Sequence, residues 1–299
     1  MQKHLNDKGK VLSAILVVAV VILLVELVMP NKNDEAASTL HKNSLETLPV
    51  SFEPMEGFEE SPLRHSIILK ERADKEVTRK QAVAKQNEID QQEKSIYLTF
   101  DDGPSAVSDQ LLDILDDYQM KATFFMIGPN IKEHSKSVVR MKKEGFGLGL
   151  HGITHEAGKI YSSPSAPVDE MSEDRDILEN VTGVRSNLIR LPYGSIPYLT
   201  EDMRYLLDKS DFKVWDWNVD SRDWELKDRR YVQHTKQEID RYMQAGVTPV
   251  VLLHDKPHTI EYLPELLSYI KKQGYQTKVL TNEQPPVTFQ CEGRCHSIS

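Results

Sequence analysis

From Ser95 to Leu280 the chain alternates short apolar runs with amphipathic stretches, and this alternation leaves few folds open. The apolar runs fall at Ile96–Phe100, Ala122–Ile127, Gly147–Leu150, Leu188–Leu191, Val214–Val219, Val250–Leu253 and Thr277–Leu280. Runs this short, bounded by polar and turn residues, read as strands. Between most of them apolar residues recur at helical spacing. Val107–Tyr118 carries Leu111, Leu112, Ile114 and Leu115 on one face, with Ser108 placed to cap it. Ile131–Glu144, Ser172–Thr182, Thr200–Leu207, Tyr231–Met243 and Tyr262–Gln273 read the same way. The pattern predicts an α/β fold, a distorted (β/α) barrel of seven strands. Side chains that do chemistry in such a barrel collect at the C-terminal ends of its strands.

The segments before this domain differ in composition. Val11 to Met29 is apolar except for Ser13 and Glu26, and at about 1.5 Å per residue it nearly crosses a bilayer core of about 30 Å. Lys3, Lys8 and Lys10 precede it, whereas Lys32, Asp34 and Glu35 follow. The positive-inside rule therefore predicts a cytoplasmic segment 1–10, a transmembrane anchor 11–29 and an exported remainder. A cleaved secretory signal would export the same domain. Residues 30–94 read as an extracellular linker: a polar spacer to about residue 62, then a Lys-, Glu- and Gln-rich helical stalk without Pro or Gly between His65 and Ser95. The domain is expected over 95–285 and a tail over 286–299. Both cysteines, Cys291 and Cys295, lie in that tail, so no disulfide framework holds the domain. They close a small loop or stand as two free thiols. A formal charge of −9 and the lack of any basic stripe exclude nucleic acid as the main partner, and no obligate protein partner is implied.

Most unusual polar residues sit at the ends of the expected strands. Asp101 and Asp102 close the first one and lead into Gly103-Pro104-Ser105. Good turn chemistry accounts for the Gly and Pro. It does not account for two adjacent carboxylates, whose repulsion must be relieved by a cation. His151 and His155 follow the strand ending at Leu150, and their spacing brings both rings within reach of one ion. Arg190 precedes Leu191-Pro192-Tyr193-Gly194-Ser195, where a guanidinium can pair with an acid. A cluster from Trp215 to Trp224 holds Asp216, Asp220, Asp223 and Trp217, and His254 with Asp255 ends Val250–Leu253. A metal site with a spare carboxylate beside it points to hydrolysis, since an attacking water needs a proton acceptor. Each feature alone has an ordinary structural explanation; five on one rim of one domain do not.

In order, Thr-Phe-Asp-Asp-Gly-Pro-Ser, His-x-x-x-His, Arg-x-Pro-Tyr-Gly, Asp-x-x-Asp-Trp and Leu-x-His resemble the five motifs of the polysaccharide deacetylases, the NodB-homology or carbohydrate esterase family 4 domain, from about Tyr97 to Leu280. The resemblance implies that Asp102, His151 and His155 hold a divalent metal. Zinc is the first expectation, and cobalt, nickel or manganese also suit a mixed Asp/His set. It implies Asp101 as general base, Arg190 as its partner, His254 as general acid and Asp223 as the carboxylate that orients it. The Tyr193 N–H is implied as an oxyanion donor, and Trp224 and Leu252 as walls for the acetyl methyl. The resembled motif carries Ser or Thr after its first His; this chain has Gly152, which removes a hydroxyl that would brace the loop.

The implied activity is metal-dependent removal of N-acetyl groups from cell-envelope polysaccharide, with peptidoglycan amino sugars as the substrate that an anchored, exported domain would meet. Two alternatives keep the fold. One is O-acetyl ester hydrolysis or deacetylation of chitin or an exopolysaccharide at the same site. The other is a catalytically silent module that binds wall glycan.

Overall fold

The computed structural model describes residues 62–289. The readings of segments 1–10 and 11–29, of the spacer before Pro62 and of the Cys291/Cys295 loop lie outside the described residues. Among the described residues no helix is long and apolar enough to cross a membrane.

Helix α1 (Pro62–Gln92) leads into β1 (Ser95–Gly103), the central strand, which is buried along its length except at Asp102. The remainder alternates: α2 (Ser108–Asp117), β2 (Thr123–Met126), α3 (Gly128–Glu133), α4 (Ser135–Lys143), β3 (Gly147–Leu150), α5 (Ala157–Ile160), α6 (Ala166–Thr182), β4 (Leu188–Ile189) and α7 (Glu201–Lys209). There follow β5 (Lys213–Val214), β6 (Val219–Asp220), α8 (Asp223–Leu226), α9 (Arg230–Gln244), β7 (Val250–His254), α10 (Pro257–Gln273) and β8 (Gln276–Lys278). All strand pairs are parallel, as β/α alternation requires.

Seven strands form one path, β5-β4-β3-β2-β1-β7-β6, with β8 paired to β1 off it. The expected strand Val214–Val219 is in fact two. Its halves, β5 and β6, lie at opposite ends of the path, joined by only residues 215–218. A link that short spans at most about 17 Å, so the sheet must curl until its edges approach. The result is a barrel that closes by chain connection and not by hydrogen bonds between β5 and β6.

Alternation along β1 sorts the core. Ile96, Leu98 and Phe100 face the helices together with Phe124, Val251 and Leu253, and Phe100 stacks on Phe124 at 5.5 Å between centroids. Tyr97 faces the barrel interior with Phe125, Leu188, Trp215, Val250 and Leu280. Thr99 and Asp101 share the parity of Tyr97, and so point inward as well.

The helical elements run close to expectation, with informative differences. Ile131–Glu144 is interrupted at His134, which separates α3 from α4. Thr200 caps α7 by accepting from the Met203 N–H. Ser108 does not cap α2; its hydroxyl donates to Asp255 instead. The Ser- and Pro-rich stretch 158–168 is helical at both ends, in α5 and α6. Helix α1 lies against the domain through polar contacts. Tyr97 Oη donates to Asp90 Oδ2 at 3.0 Å, the Thr248 N–H donates to Asn87 Oδ1 at 2.7 Å, and Lys278 reaches Asp90 at 3.3 Å. Contacts of this kind leave no apolar stripe in the sequence. The segment read as the start of a tail also packs on the barrel, where the Phe289 ring meets Trp217 edge-on at 4.8 Å.

Candidate active site

The site begins with an irregularity in β1. Pairing with β2 runs Asp101↔Phe125 and then Gly103↔Met126, so Asp102 is an extra residue in the strand. Its backbone is left-handed, with φ 70. Strict alternation would send Asp101 and Asp102 to opposite faces; the bulge turns both carboxylates toward the barrel mouth. Asp is among the residues that enter this conformation most readily, at a cost of about 1–2 kcal/mol.

His151 and His155 leave the end of β3 and meet Asp102. Asp102 Oδ1 lies 3.6 Å from His151 Nε2 and 3.3 Å from His155 Nε2. One ligand atom from each of the three can be chosen so that all lie within 4.8 Å of one another. The buried His151 has Nδ1 at 2.7 Å from the Arg190 carbonyl. A carbonyl only accepts, so the proton sits on Nδ1 and Nε2 presents its lone pair to Asp102. Burial lowers the His151 pKa against the pull of Asp101 and Asp102, which keeps the ring in the neutral, ligating form. Burial would raise the Asp102 pKa, but His151, His254, His155 and Lys256 together hold it below the usual carboxylate range. Oδ2 of Asp102 faces Lys256 Nζ at 3.2 Å, leaving Oδ1 to the imidazoles. A carboxylate oxygen and two imidazole nitrogens suit a divalent ion such as zinc.

Asp101 is held from below. Arg190, fully buried, spends Nη1 on Asp101 Oδ1 at 2.9 Å and Thr99 Oγ1 at 2.6 Å, Nε on the Trp215 carbonyl at 3.1 Å and Nη2 on the Asp216 carbonyl at 3.0 Å. Its guanidinium also lies over the Phe125 ring at 4.3 Å. Asp101 Oδ2 is left toward the histidines, 3.8 Å from His151 Nε2. Past Arg190 the backbone at Tyr193 is left-handed, φ 68, and its N–H has no protein partner among the described residues. Asp216 anchors this turn by accepting from the Ser195 N–H at 2.9 Å and the Ser195 hydroxyl at 2.6 Å; burial raises its pKa.

Across the mouth, His254 is the register partner of Asp101 on the neighbouring strand β7. Its Nδ1 lies 2.8 Å from Asp223 Oδ1, while its own N–H and the Thr259 hydroxyl donate to Asp223 Oδ2 at 2.8 and 2.6 Å. Burial alone would depress the His254 pKa, but the bond to Asp223 and the charges of Asp223, Asp101 and Asp102 lift it to about 9. The ring is therefore an imidazolium at neutral pH. Leu252 is buried in the wall and Trp224 stands half exposed at the rim.

These side chains line one cavity of 630 Å3, which includes Asp101, Asp102, His151, His155, His254 and Tyr193. Of the three aspartates in the Trp215–Trp224 cluster, only Asp223 serves His254; Asp220 accepts from the Arg222 N–H and lies at the rim. The loop after His155 does not line the cavity. It supports the site from behind, with Tyr161 Oη donating to the Pro192 carbonyl at 2.7 Å.

The family model for polysaccharide deacetylase matches residues 88–215. The chain is 43% identical over 197 residues to the putative polysaccharide deacetylase YheN of Bacillus subtilis, which covers 65% of this chain and 70% of that protein. It is 37% identical over 205 residues to a peptidoglycan-N-acetylglucosamine deacetylase of Bacillus cereus, covering 67% and 75%. The chain belongs to the polysaccharide deacetylase family. Among solved structures it is similar to the polysaccharide deacetylase Bc1974 of Bacillus cereus, with a TM-score of 0.58 and 36% identity over 65% of this chain and 96% of that one. As a family 4 carbohydrate esterase it is a deacetylase acting on polysaccharide.

Several contributors to this deacetylase site went unread in the sequence. Lys227, Lys256 and His258 line the cavity, beside Trp217 of the Trp215–Trp224 cluster. Lys256 lies two residues past His254, close enough to have been a candidate. Lys227 carries no local signal.

Proposed function

We propose that the protein is a metal-dependent N-deacetylase of cell-envelope polysaccharide, with N-acetylglucosamine of peptidoglycan as the substrate and zinc as the metal; cobalt, nickel and manganese suit the same donors. One observation carries this reading: Asp101, paired with Arg190, and His254, paired with Asp223, flank the Asp102–His151–His155 cluster on adjacent strands. The peptidoglycan-N-acetylglucosamine deacetylase among its relatives supports the choice of substrate.

A divalent ion held by Asp102, His151 and His155 would acidify water and polarise the amide carbonyl. Asp101 Oδ2 takes the proton of the attacking water, because Oδ1 is held by Arg190. The Tyr193 N–H stabilises the charge that develops on the carbonyl oxygen. His254 donates its Nε2 proton to the departing amine, Nδ1 being engaged by Asp223, and the C–N bond breaks to give acetate and a free amino sugar. Leu252 and Trp224 receive the acetyl methyl. The Lys3, Lys8 and Lys10 flank supports an extracellular domain anchored by 11–29, next to its wall substrate.

The test is acetate release by the full-length chain from N-acetylglucosamine oligomers, purified peptidoglycan, chitin and O-acetylated xylan. Activity on the first two, lost with a chelator and restored by zinc, is expected. Full activity of His151→Ala or Asp101→Asn refutes the mechanism, and release from the O-acetyl ester alone refutes the substrate.

A further inference from the structure

The loop that carries the two histidines begins at His151, and Gly152 (φ 88) contributes no side chain to hold it. Its four consecutive backbone N–H groups nevertheless all have acceptors on α6. Asp174 Oδ2 accepts from Gly152 at 2.9 Å and, at 3.0 Å, shares the His151 N–H with the Met126 carbonyl at 2.7 Å. Glu170 Oε2 accepts from Ile153 at 2.9 Å and Thr154 at 3.0 Å, and Glu170 Oε1 accepts from the Thr154 hydroxyl at 2.7 Å. Glu170 and Asp174 are four residues apart on one helix, so their carboxyls project side by side. A Cβ at position 152 would lie 3.1 Å from Glu170 Oε2 and 3.3 Å from Ile160 Cδ1, so the clamp uses space that only glycine leaves free.

We propose that Glu170 and Asp174 are positioning residues for the metal centre, fixing the His151–Thr154 backbone and through it the aim of both imidazoles. Five hydrogen bonds from one rigid helix set where His151 leaves β3 and where the chain turns toward His155. The inference rests on the metal site proposed above. Neither carboxyl ligates the ion or touches substrate; they act by holding the ligand loop. Support of this indirect kind commonly changes metal affinity by roughly 10–100-fold.

The test measures the zinc affinity of the full-length chain by competition with a chromophoric chelator, alongside the absorption spectrum of the cobalt-loaded protein. Glu170→Ala, at a half-buried position, is expected to weaken zinc binding by roughly 10–100-fold and to shift the cobalt spectrum. Glu170→Gln keeps a carbonyl oxygen to accept both N–H groups, and should retain affinity within a few-fold, about the same order as the unmodified chain. Asp174→Asn and Asp174→Ala repeat the comparison; should the buried Asp174→Ala not fold, the Glu170 pair decides. Wild-type affinity and an unshifted spectrum in Glu170→Ala overturn the proposal, as does a loss in Glu170→Gln equal to that in Glu170→Ala. An unmodified chain that binds no divalent ion overturns the metal site as well, which separates the two failures.

Discussion

Replacing Asp223 by Asn tests how the acid side of the site is tuned. In the folded protein the His254 pKa stands at about 9 against an ordinary 6.5, although burial opposes the rise. That difference corresponds to about 3 kcal/mol favouring the imidazolium, most of it owed to the bond and charge of Asp223. Asn keeps an acceptor but removes the charge, so the ring should return to about 6.5 or lower. At pH 8 the protonated fraction then falls from about nine-tenths to about one-thirtieth, while at pH 6 about three-quarters remains. Acetate release from N-acetylglucosamine oligomers, followed as kcat/KM from pH 5 to 10, should lose about 30-fold at pH 8 from this cause and less than about 2-fold at pH 6. Stability has the matching sign. The folded value lies above the unfolded one, so this stabilisation is complete below about 6.5 and lost as pH rises through about 9. An Asp223→Asn enzyme whose alkaline limb coincides with that of the unmodified protein would refute the assignment of His254 as the acid.

Other outcomes follow from the same geometry. Arg190→Met retains bulk but strands Asp101, which is only 3% exposed, together with two carbonyl groups; a loss of roughly 3–5 kcal/mol in denaturant unfolding is expected. Trp224→Ala, at a residue 51% exposed, should leave stability within about 0.5 kcal/mol while raising KM for oligosaccharide, and an unchanged KM would remove Trp224 from the substrate wall. Gly152→Ala forces a Cβ into a left-handed position against Glu170, so thermal unfolding should show a loss of about 1–2 kcal/mol together with weaker zinc binding.

The strand positions were legible because the middle of a buried strand is mostly apolar, and the runs beginning at Ile96, Ala122, Gly147 and Val250 each overlap one. Val214–Val219 misled for the same reason. Trp215 is buried in the interior cluster with Trp217 packed against it, so the link between the two strands carries large apolar residues of its own. Composition therefore could not separate β5 from β6. Polar docking was equally silent: α1 binds the domain through Asn87 and Asp90, residues that read as solvated wherever they stand. Asp174 did leave a signal. It lies three residues after Met171 and four before Leu178, on a stripe whose neighbours are fully buried, and a carboxylate in that place needs donors.

The residues at the cavity were legible as chemistry, but the backbone that aims them was not. Asp102, His155, Tyr193 and Lys227 all line the cavity with left-handed φ values of 70, 51, 68 and 52, and none of the four is glycine. At about 1–2 kcal/mol each, such a concentration persists only where surrounding bonds over-determine the conformation. The surroundings do so here. Asn130 donates to the Asp102 carbonyl at 2.9 Å, Tyr193 Oη donates to the His155 carbonyl at 3.0 Å, and Asp216 pins the turn after Tyr193. Motif spacing records which side chains are present; the bulge at Asp102 and these backbone contacts decide that two adjacent carboxylates face one cavity. Relaxing the bulge would return Asp102 to the helix-facing side of β1 and dismantle the cluster without altering a single ligand.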